Sequence, residues 1–410
     1  MPPPPAAPAR LVSLDVLRGF DLFWILGADA LVHALRAMDD TAPLRFLAGQ
    51  LEHRAWAGFG FYDLIFPLFV FVVGVSLVFS LTRIVARDGR AAAVKRILRR
   101  AALLFLFGII YNGGLAAPWP EVRLAGVLQR IALAYAAAGM LFCFFRPRIL
   151  AGMTIALLLG YWALLAWVPI RDVPLDRAAL IARLPRAERD SHGDPDPARV
   201  RALFDRTTTR VRGHYEPGLN LPNQLDYRWL PGARYDRYYD PEGLLSTLPA
   251  IATCLLGVFA GLGLQRSDRT DREKLAWLVA AGLAALALGW LWGLSFPVIK
   301  KLWTSSFVLV AGGWSCLLLA GFYYMVDMRR WRGWCRPFLW IGMNPITLYL
   351  LSALVDFHGL ATRLAGGSVR AWIDAHIAAG AGEFTIALVS LALVVALAGF
   401  LYRRNIFLRV

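Results

Sequence analysis

Apolar runs dominate this chain, broken at intervals by short polar clusters. Runs long enough to cross a hydrocarbon layer of roughly 30 Å fall at about 12–36, 61–83, 97–113, 122–145 and 149–168, and again at about 242–264, 275–294, 302–326, 337–357 and 383–402. Each predicts a membrane helix. The expected fold is all-α: a polytopic bundle of about ten transmembrane helices. Between the two sets, residues 169–240 are rich in Pro, Arg, Asp and Tyr, which predicts an excursion outside the membrane. The chain thus divides into 1–168, holding the first five helices and a candidate catalytic loop, the excursion 169–240, and 241–410 with the last five helices.

Composition strengthens this reading, because 58% hydrophobic residues against 18% charged cannot be wrapped into a water-soluble globule. A net charge of +16 raises the question of nucleic acid, but the basic residues sit in short clusters between apolar runs rather than on one face. They read as topology. Arg83, Arg87, Arg90, Lys95, Arg96, Arg99 and Arg100 face a single acid, Asp88, and such loops stay in the cytoplasm. Alternation puts Arg146 with Arg148, the 266–274 loop, the 329–336 loop, Arg403 with Arg404, and both termini on that side as well. The excursion falls outside, which in a Gram-negative bacterium is the periplasmic face of the inner membrane. Met1–Arg10 is proline-rich and has no signal-peptide pattern, so the first helix is expected to insert uncleaved. Four cysteines form no CxxC pair and no zinc spacing, and no metal-ligand cluster is evident.

Ionisable groups inside spans are costly and usually serve a cavity. Counting helical rise from Val12, Asp29 lies about 25 Å along the first helix, in the outer third of the membrane. His53, in the next external loop, and Asp63, in the first turn of the second helix, should reach the same level. Gln129 and Arg130 lie roughly 10 Å below the outer surface. Glu242 is expected to open the sixth helix, and Lys300 with Trp303 the eighth. Asn344 falls within the ninth, where Pro345 frees a carbonyl and predicts a break. A polar pocket near the outer leaflet follows. Plainer explanations stand beside it. Asp15 and Arg18 read as a structural i,i+3 ion pair, Asp29 reads equally as an ion-pair partner for Arg130, and His33 competes for the role of His53. Lys300 and Lys301 suit headgroup anchors.

These residues fall in a pattern. Ser-Leu-Asp-Val-Leu-Arg-Gly-Phe (13–20), His53 to Trp56 leading into Asp-Leu-Ile-Phe-Pro (63–67), and Gly-Val-Leu-Gln-Arg-Ile-Ala (126–132) are followed by Asp-Pro-Glu-Gly-Leu-Leu-Ser-Thr (240–247), Lys-Lys-Leu-Trp-Thr-Ser-Ser-Phe (300–307) and Gly-Met-Asn-Pro (342–345). In that order they resemble the heparan-alpha-glucosaminide N-acetyltransferase family, lysosomal enzymes and bacterial relatives that pass an acetyl group from cytosolic acetyl-CoA to an amino sugar across the membrane. The resemblance implies a catalytic role for His53. The family has asparagine where this chain has Asp29, a carboxylate able to orient a histidine. The lysosomal enzyme carries a luminal domain and one more helix ahead of the matched region, and this chain is expected to lack both.

The resemblance further implies acetyl-CoA as co-substrate, an amino sugar as acceptor, membrane lipid as surroundings, no nucleic acid, no metal, and a homodimer by analogy with lysosomal members. On this reading Asp29 orients His53, Asn344 or Lys300 stabilises the oxyanion, and Glu242 and Asp63 hold the sugar beside Gln129, Arg130 and Trp303. The basic stretches 96–100 and 329–332 either hold nucleotide phosphates or only set topology. The alternative from another class is an amino-sugar permease without acyl transfer.

Overall fold

The computed structural model describes residues 11–408 except 40, 117, 187–188 and 190–192; the proline-rich Met1–Arg10 lies outside them. Among the described residues the chain is a helical bundle whose paired strands are one short antiparallel couple, Ile170–Arg171 with Arg210–Val211. Seven helices are long and apolar enough to cross a membrane, and the pair Arg336–Met343 and Pro345–Leu354, bent by 81°, makes an eighth.

Two further crossings are hidden in continuous helix. Phe61–Tyr111 runs through Gly89 at φ 82°. A methyl group built on Gly139 would lie 3.1 Å from the Ile97 side chain and 3.4 Å from that of Leu77, residues that a straight helix would hold about 30 Å apart. The helix therefore folds back at Gly89, as two spans with the arginine-rich stretch at the turn. The first run, Val12–Phe23, passes through a π-helical segment Trp24–Ala28, with Gly27 at φ 118°, into Asp29–Met38. Only a residue without Cβ takes that conformation cheaply, and the break keeps the run from being one regular helix. Ten crossings result, in agreement with the hydropathy pattern.

Several boundaries differ from the expected ones. The fourth crossing is Val127–Phe144, preceded by extended chain in which Arg123 bridges to Gly232. The sixth is Thr247–Gln265, so Glu242 does not open it. Residues 240–246 stay non-helical because carboxylates take their amides: Asp240 accepts from Glu242 N at 3.0 Å and Asp226 from Leu244 N at 2.9 Å. The eighth begins at Ser305 behind the Thr304 cap, which leaves Lys300 and Trp303 in the preceding turn. Trp303 holds the left-handed conformation there, at φ 53°.

The two ends of the bundle are distinguishable by their contacts. The Asp327 carboxylate accepts from Val12 N and Ser13 N at 3.2 and 3.1 Å, and the Tyr323 hydroxyl donates to Asp271 at 2.7 Å. The start of the first crossing thus meets the end of the eighth, and the end of the eighth meets the start of the seventh, as strict alternation requires. Bare backbone makes the tightest crossings. Gly19 and Gly342 bring the first and ninth spans together, and Gly74 and Gly257 the second and sixth. Close approach of this kind is what small residues provide where no hydrophobic force acts between helices in lipid. The excursion has a core of its own around Val173, Leu180, Phe204 and Tyr238. It is tied to the loop before the second crossing by the Trp56 indole, which donates to Tyr215 O at 2.7 Å.

Candidate active site

The loop from Leu51 to Gly60 folds over the outer end of the second crossing because Asp63 collects its donors. One Asp63 oxygen accepts from Gly60 N at 3.1 Å and Arg54 N at 3.3 Å, and the other faces His53 Nδ1 at 3.1 Å. Asp63 is fully buried, whereas the His53 ring is half exposed. Lys300 Nζ, from the turn before the eighth crossing, lies 2.9 Å from His53 Nδ1, 3.4 Å from Nε2 and 3.6 Å from Asp63 Oδ1. An ionised carboxylate only accepts hydrogen bonds and an ammonium only donates them, so with Nδ1–H donating to Asp63 the lone pair is on Nε2, which is the ring nitrogen that can accept from Lys300, and the shorter approach of Nζ to Nδ1 is not a hydrogen bond. Burial pulls the Lys300 ammonium below its ordinary pKa, against the opposing attraction of Asp63 and Glu242.

The carboxylate in contact with His53 is therefore Asp63, and the expectation that Asp29 orients the imidazole directly is corrected. Asp29 accepts from the Tyr62 hydroxyl at 3.1 Å, and the Tyr62 ring packs on His53 with centroids 4.8 Å apart. The adjacency in sequence of Tyr62 and Asp63 is what separates the two acids: neighbours on a helix face different directions. Asp29 sits one aromatic ring removed from the histidine.

His53, Tyr62, Glu242 and Lys300 line the mouth of a cavity of about 230 Å³ whose walls include Leu22, Ile25, Phe66 and Tyr349. A second outer pocket shares His53, Glu242 and Lys300 and adds Arg54, Arg123, Lys301 and Trp303. Glu242 is held by Arg123 at 2.8 Å, and Arg123 also clamps Asp240 at 2.8 Å. Burial pushes the Glu242 carboxyl up, against the pull of Arg130 and Arg123.

Other expected residues stand behind these walls. Arg130 is buried, donates to Gly243 O and Ser246 Oγ, and lies 4.9 Å over the Trp303 ring; it does not pair with Asp29. Trp303 donates to Thr253 Oγ1 at 3.0 Å. Gln129 and Asn344 are buried with both amide atoms unpartnered. Asn344 sits at the 81° bend, and the next two residues, Pro345 and Ile346, reach the outer cavity.

At the opposite end of the bundle a pocket of about 590 Å³ is lined by Asp15, Arg18, Ser76, Arg83, Arg87 and Arg96, among others. Of the basic stretches named from sequence, Arg96 reaches it. Arg100 instead lies 4.9 Å over Tyr135 and Arg329 5.4 Å over Tyr324, while Arg332 faces Asp327 at 3.6 Å. Arg18 is more than half of an ion pair: besides Asp15 at 3.2 Å it donates to Ser76 Oγ at 2.7 Å and Gly342 O at 3.3 Å.

Sequence reading missed Asp226, which lay in the excursion and had no membrane depth to mark it. Its carboxylate packs against the 243–244 backbone beneath Glu242, and burial pushes it up to about 7. A raised pKa means the folded chain holds a proton that the unfolded chain releases. The stabilisation is complete below about 4 and is lost as pH climbs through about 7, by at most about 4 kcal/mol. The thermal midpoint of the wild type should fall relative to Asp226→Asn between pH 5 and pH 8. Parallel curves for the two proteins would refute the assignment.

Residues 10–176 match a family model described as heparan-alpha-glucosaminide N-acetyltransferase, catalytic. The chain is similar to the heparan-alpha-glucosaminide N-acetyltransferase of Homo sapiens, 27% identical over 378 residues covering 84% of this chain and 53% of that protein. It is also similar to that of Mus musculus, 28% identical over 328 residues covering 73% of this chain and 48% of the relative. The matched region spans about half the length of these curated relatives.

Proposed function

We propose that this multi-pass membrane protein, similar over part of its length to the heparan-alpha-glucosaminide N-acetyltransferases, moves an acetyl group from cytosolic acetyl-CoA to the amine of an amino sugar, glucosamine or a terminal glucosaminide, on the far side of an inner membrane. The observation that carries this reading is the His53–Asp63–Lys300 cluster at the mouth of an apolar cavity, with an arginine-lined pocket at the other end of the same first span. Arg18, Arg83, Arg87 and Arg96 suit the phosphates of a nucleotide, which guanidinium groups bind in bidentate fashion. The acetyl thioester then lies in the outer cavity.

His53 Nε2 takes the proton of the acceptor amine while the nitrogen bonds to the thioester carbonyl carbon. Lys300, on the cavity wall beside His53, supplies a donor to the oxyanion. Collapse breaks the C–S bond, and the imidazolium returns its proton to the leaving thiolate. Asp63 fixes the tautomer, and a carboxylate beside the ring stabilises its protonated form. An acetyl-imidazole intermediate at Nε2 uses the same groups in two steps. Glu242, on the wall of the same cavity, holds the sugar's ammonium or hydroxyls.

The test is turnover by protein purified in detergent, supplied with acetyl-CoA and glucosamine, with free thiol and acetylated sugar measured together. Stoichiometric appearance of both is expected. The broken ninth span also suits a permease; sugar counterflow in proteoliposomes without thiol release would overturn the transferase reading in its favour.

A further inference from the structure

Asp21 belongs to neither pocket and is used by no step above. It is fully buried within the first span, and neither carboxylate oxygen has a hydrogen-bond partner. Other buried acids are served: Asp63 by two amides and two side chains, Asp240 by Arg123 and backbone amides. An unserved polar group of this kind costs free energy in every folded molecule, so a partner that arrives later is the natural reason to keep it.

Its position says which partner. Along the same helix, Leu14, Asp15 and Arg18 line the inner pocket, while Leu22 and Ile25 line the outer cavity. Along the helix Asp21 falls between these two sets of lining residues, one turn above Arg18. The ninth span is divided at the same place. Gly342 O, just before the break, accepts from Arg18 of the inner pocket, whereas Pro345 and Ile346, just after it, line the outer cavity. Asn344, between them, also has both polar atoms unpartnered. From Arg18 to Ile25 the climb is about 10 Å. A donor anchored by phosphates among the arginines and presenting a thioester at His53 must span this distance with a linear arm, and the arm of coenzyme A carries two amides.

We propose that Asp21 and Asn344 form a polar collar that hydrogen-bonds the amide-bearing arm of the acyl donor, with Asp21 a specificity-determining residue for pantetheine thioesters. This rests on the acetyl-CoA reading above and adds to it a residue that selects the donor. With no arm in place the collar is a defect in the packing. Removing its carboxyl therefore makes the empty protein more stable and the donor bind worse.

The experiment compares wild type, Asp21→Leu and Asp21→Asn, each with acetyl-CoA and with S-ethyl thioacetate, an acetyl thioester without amides, at saturating glucosamine. Asp21→Leu should lower kcat/KM for acetyl-CoA about tenfold or more, the loss of one buried hydrogen-bond partner, while changing the amide-free donor less than threefold. Asp21→Asn, which still donates and accepts, should stay within about threefold on both donors. The thermal midpoint of ligand-free Asp21→Leu should rise. Equal losses on both donors, no loss on either, or a lowered midpoint would each overturn the collar. A wild type that releases no thiol from acetyl-CoA overturns the transferase reading itself, and the collar with it, and is told apart from the other outcomes before any variant is made.

Discussion

Asp63→Asn should reduce acetyl transfer by about 10²–10⁴-fold, the range that general acid-base catalysis and tautomer control command, while leaving the fold in place. The amide oxygen can still accept from Gly60 N and Arg54 N, so the loop before the second crossing keeps its anchor. Two things are lost. His53 no longer has a carboxylate to hold Nδ1–H, and Lys300 loses the negative charge 3.6 Å away. His53→Ala should fall to the same floor, because groups that act as one unit do not add. Asp29→Asn is the contrast. Its carboxylate touches the Tyr62 hydroxyl and not the imidazole, so its loss should cost less than about tenfold, the worth of one hydrogen bond. Thiol release by the three variants at matched concentration checks this. If Asp29→Asn proved as inactive as Asp63→Asn, the orienting acid would have been misassigned.

Alanine at Gly342 or Gly19 should destabilise the bundle by about 3 kcal/mol or prevent its assembly, at the upper end of what overpacking costs. A Cβ on Gly19 would lie 1.7 Å from the Phe338 carbonyl oxygen, and one on Gly342 1.8 Å from that of Asp15. These are backbone atoms of two packed helices and cannot rotate away, so the spans must part. The consequence reaches both pockets. Arg18 reaches Gly342 O, and Pro345 and Ile346 line the outer cavity; a displaced ninth span moves both. Gly152, in the fifth crossing, is the control, since a Cβ there meets nothing within 4 Å. Gly152→Ala should be neutral or stabilising by up to about 1 kcal/mol. Thermal midpoints in one detergent decide the matter. A Gly342→Ala protein that melted with the wild type would show that the crossing is not as tight as its geometry states.

Comparing the two levels, hydropathy found all ten crossings although two are concealed in continuous helix, at Gly89 and Gly27. A crossing is a property of composition over some twenty residues, and lipid enforces it whatever the neighbours do. Helix starts were less legible. Glu242 and Lys300 lie in turns because the neighbouring Asp240 and Thr304, together with Asp226 from 18 residues away, take the local amides.

What the sequence determined by itself is therefore the number of crossings, their alternation, and the common level at which His53, Asp29 and Asp63 meet, because each depends on a one-dimensional quantity: apolar length or rise per residue. Which acid serves the histidine, that Lys300 joins them, and that Asp21 is buried without a hydrogen-bond partner were decided by tertiary structure alone. Rotation of each helix about its axis sets those contacts, and that rotation is fixed by packing against residues hundreds of positions away, as Arg18 against Gly342 and His53 against Lys300 make plain.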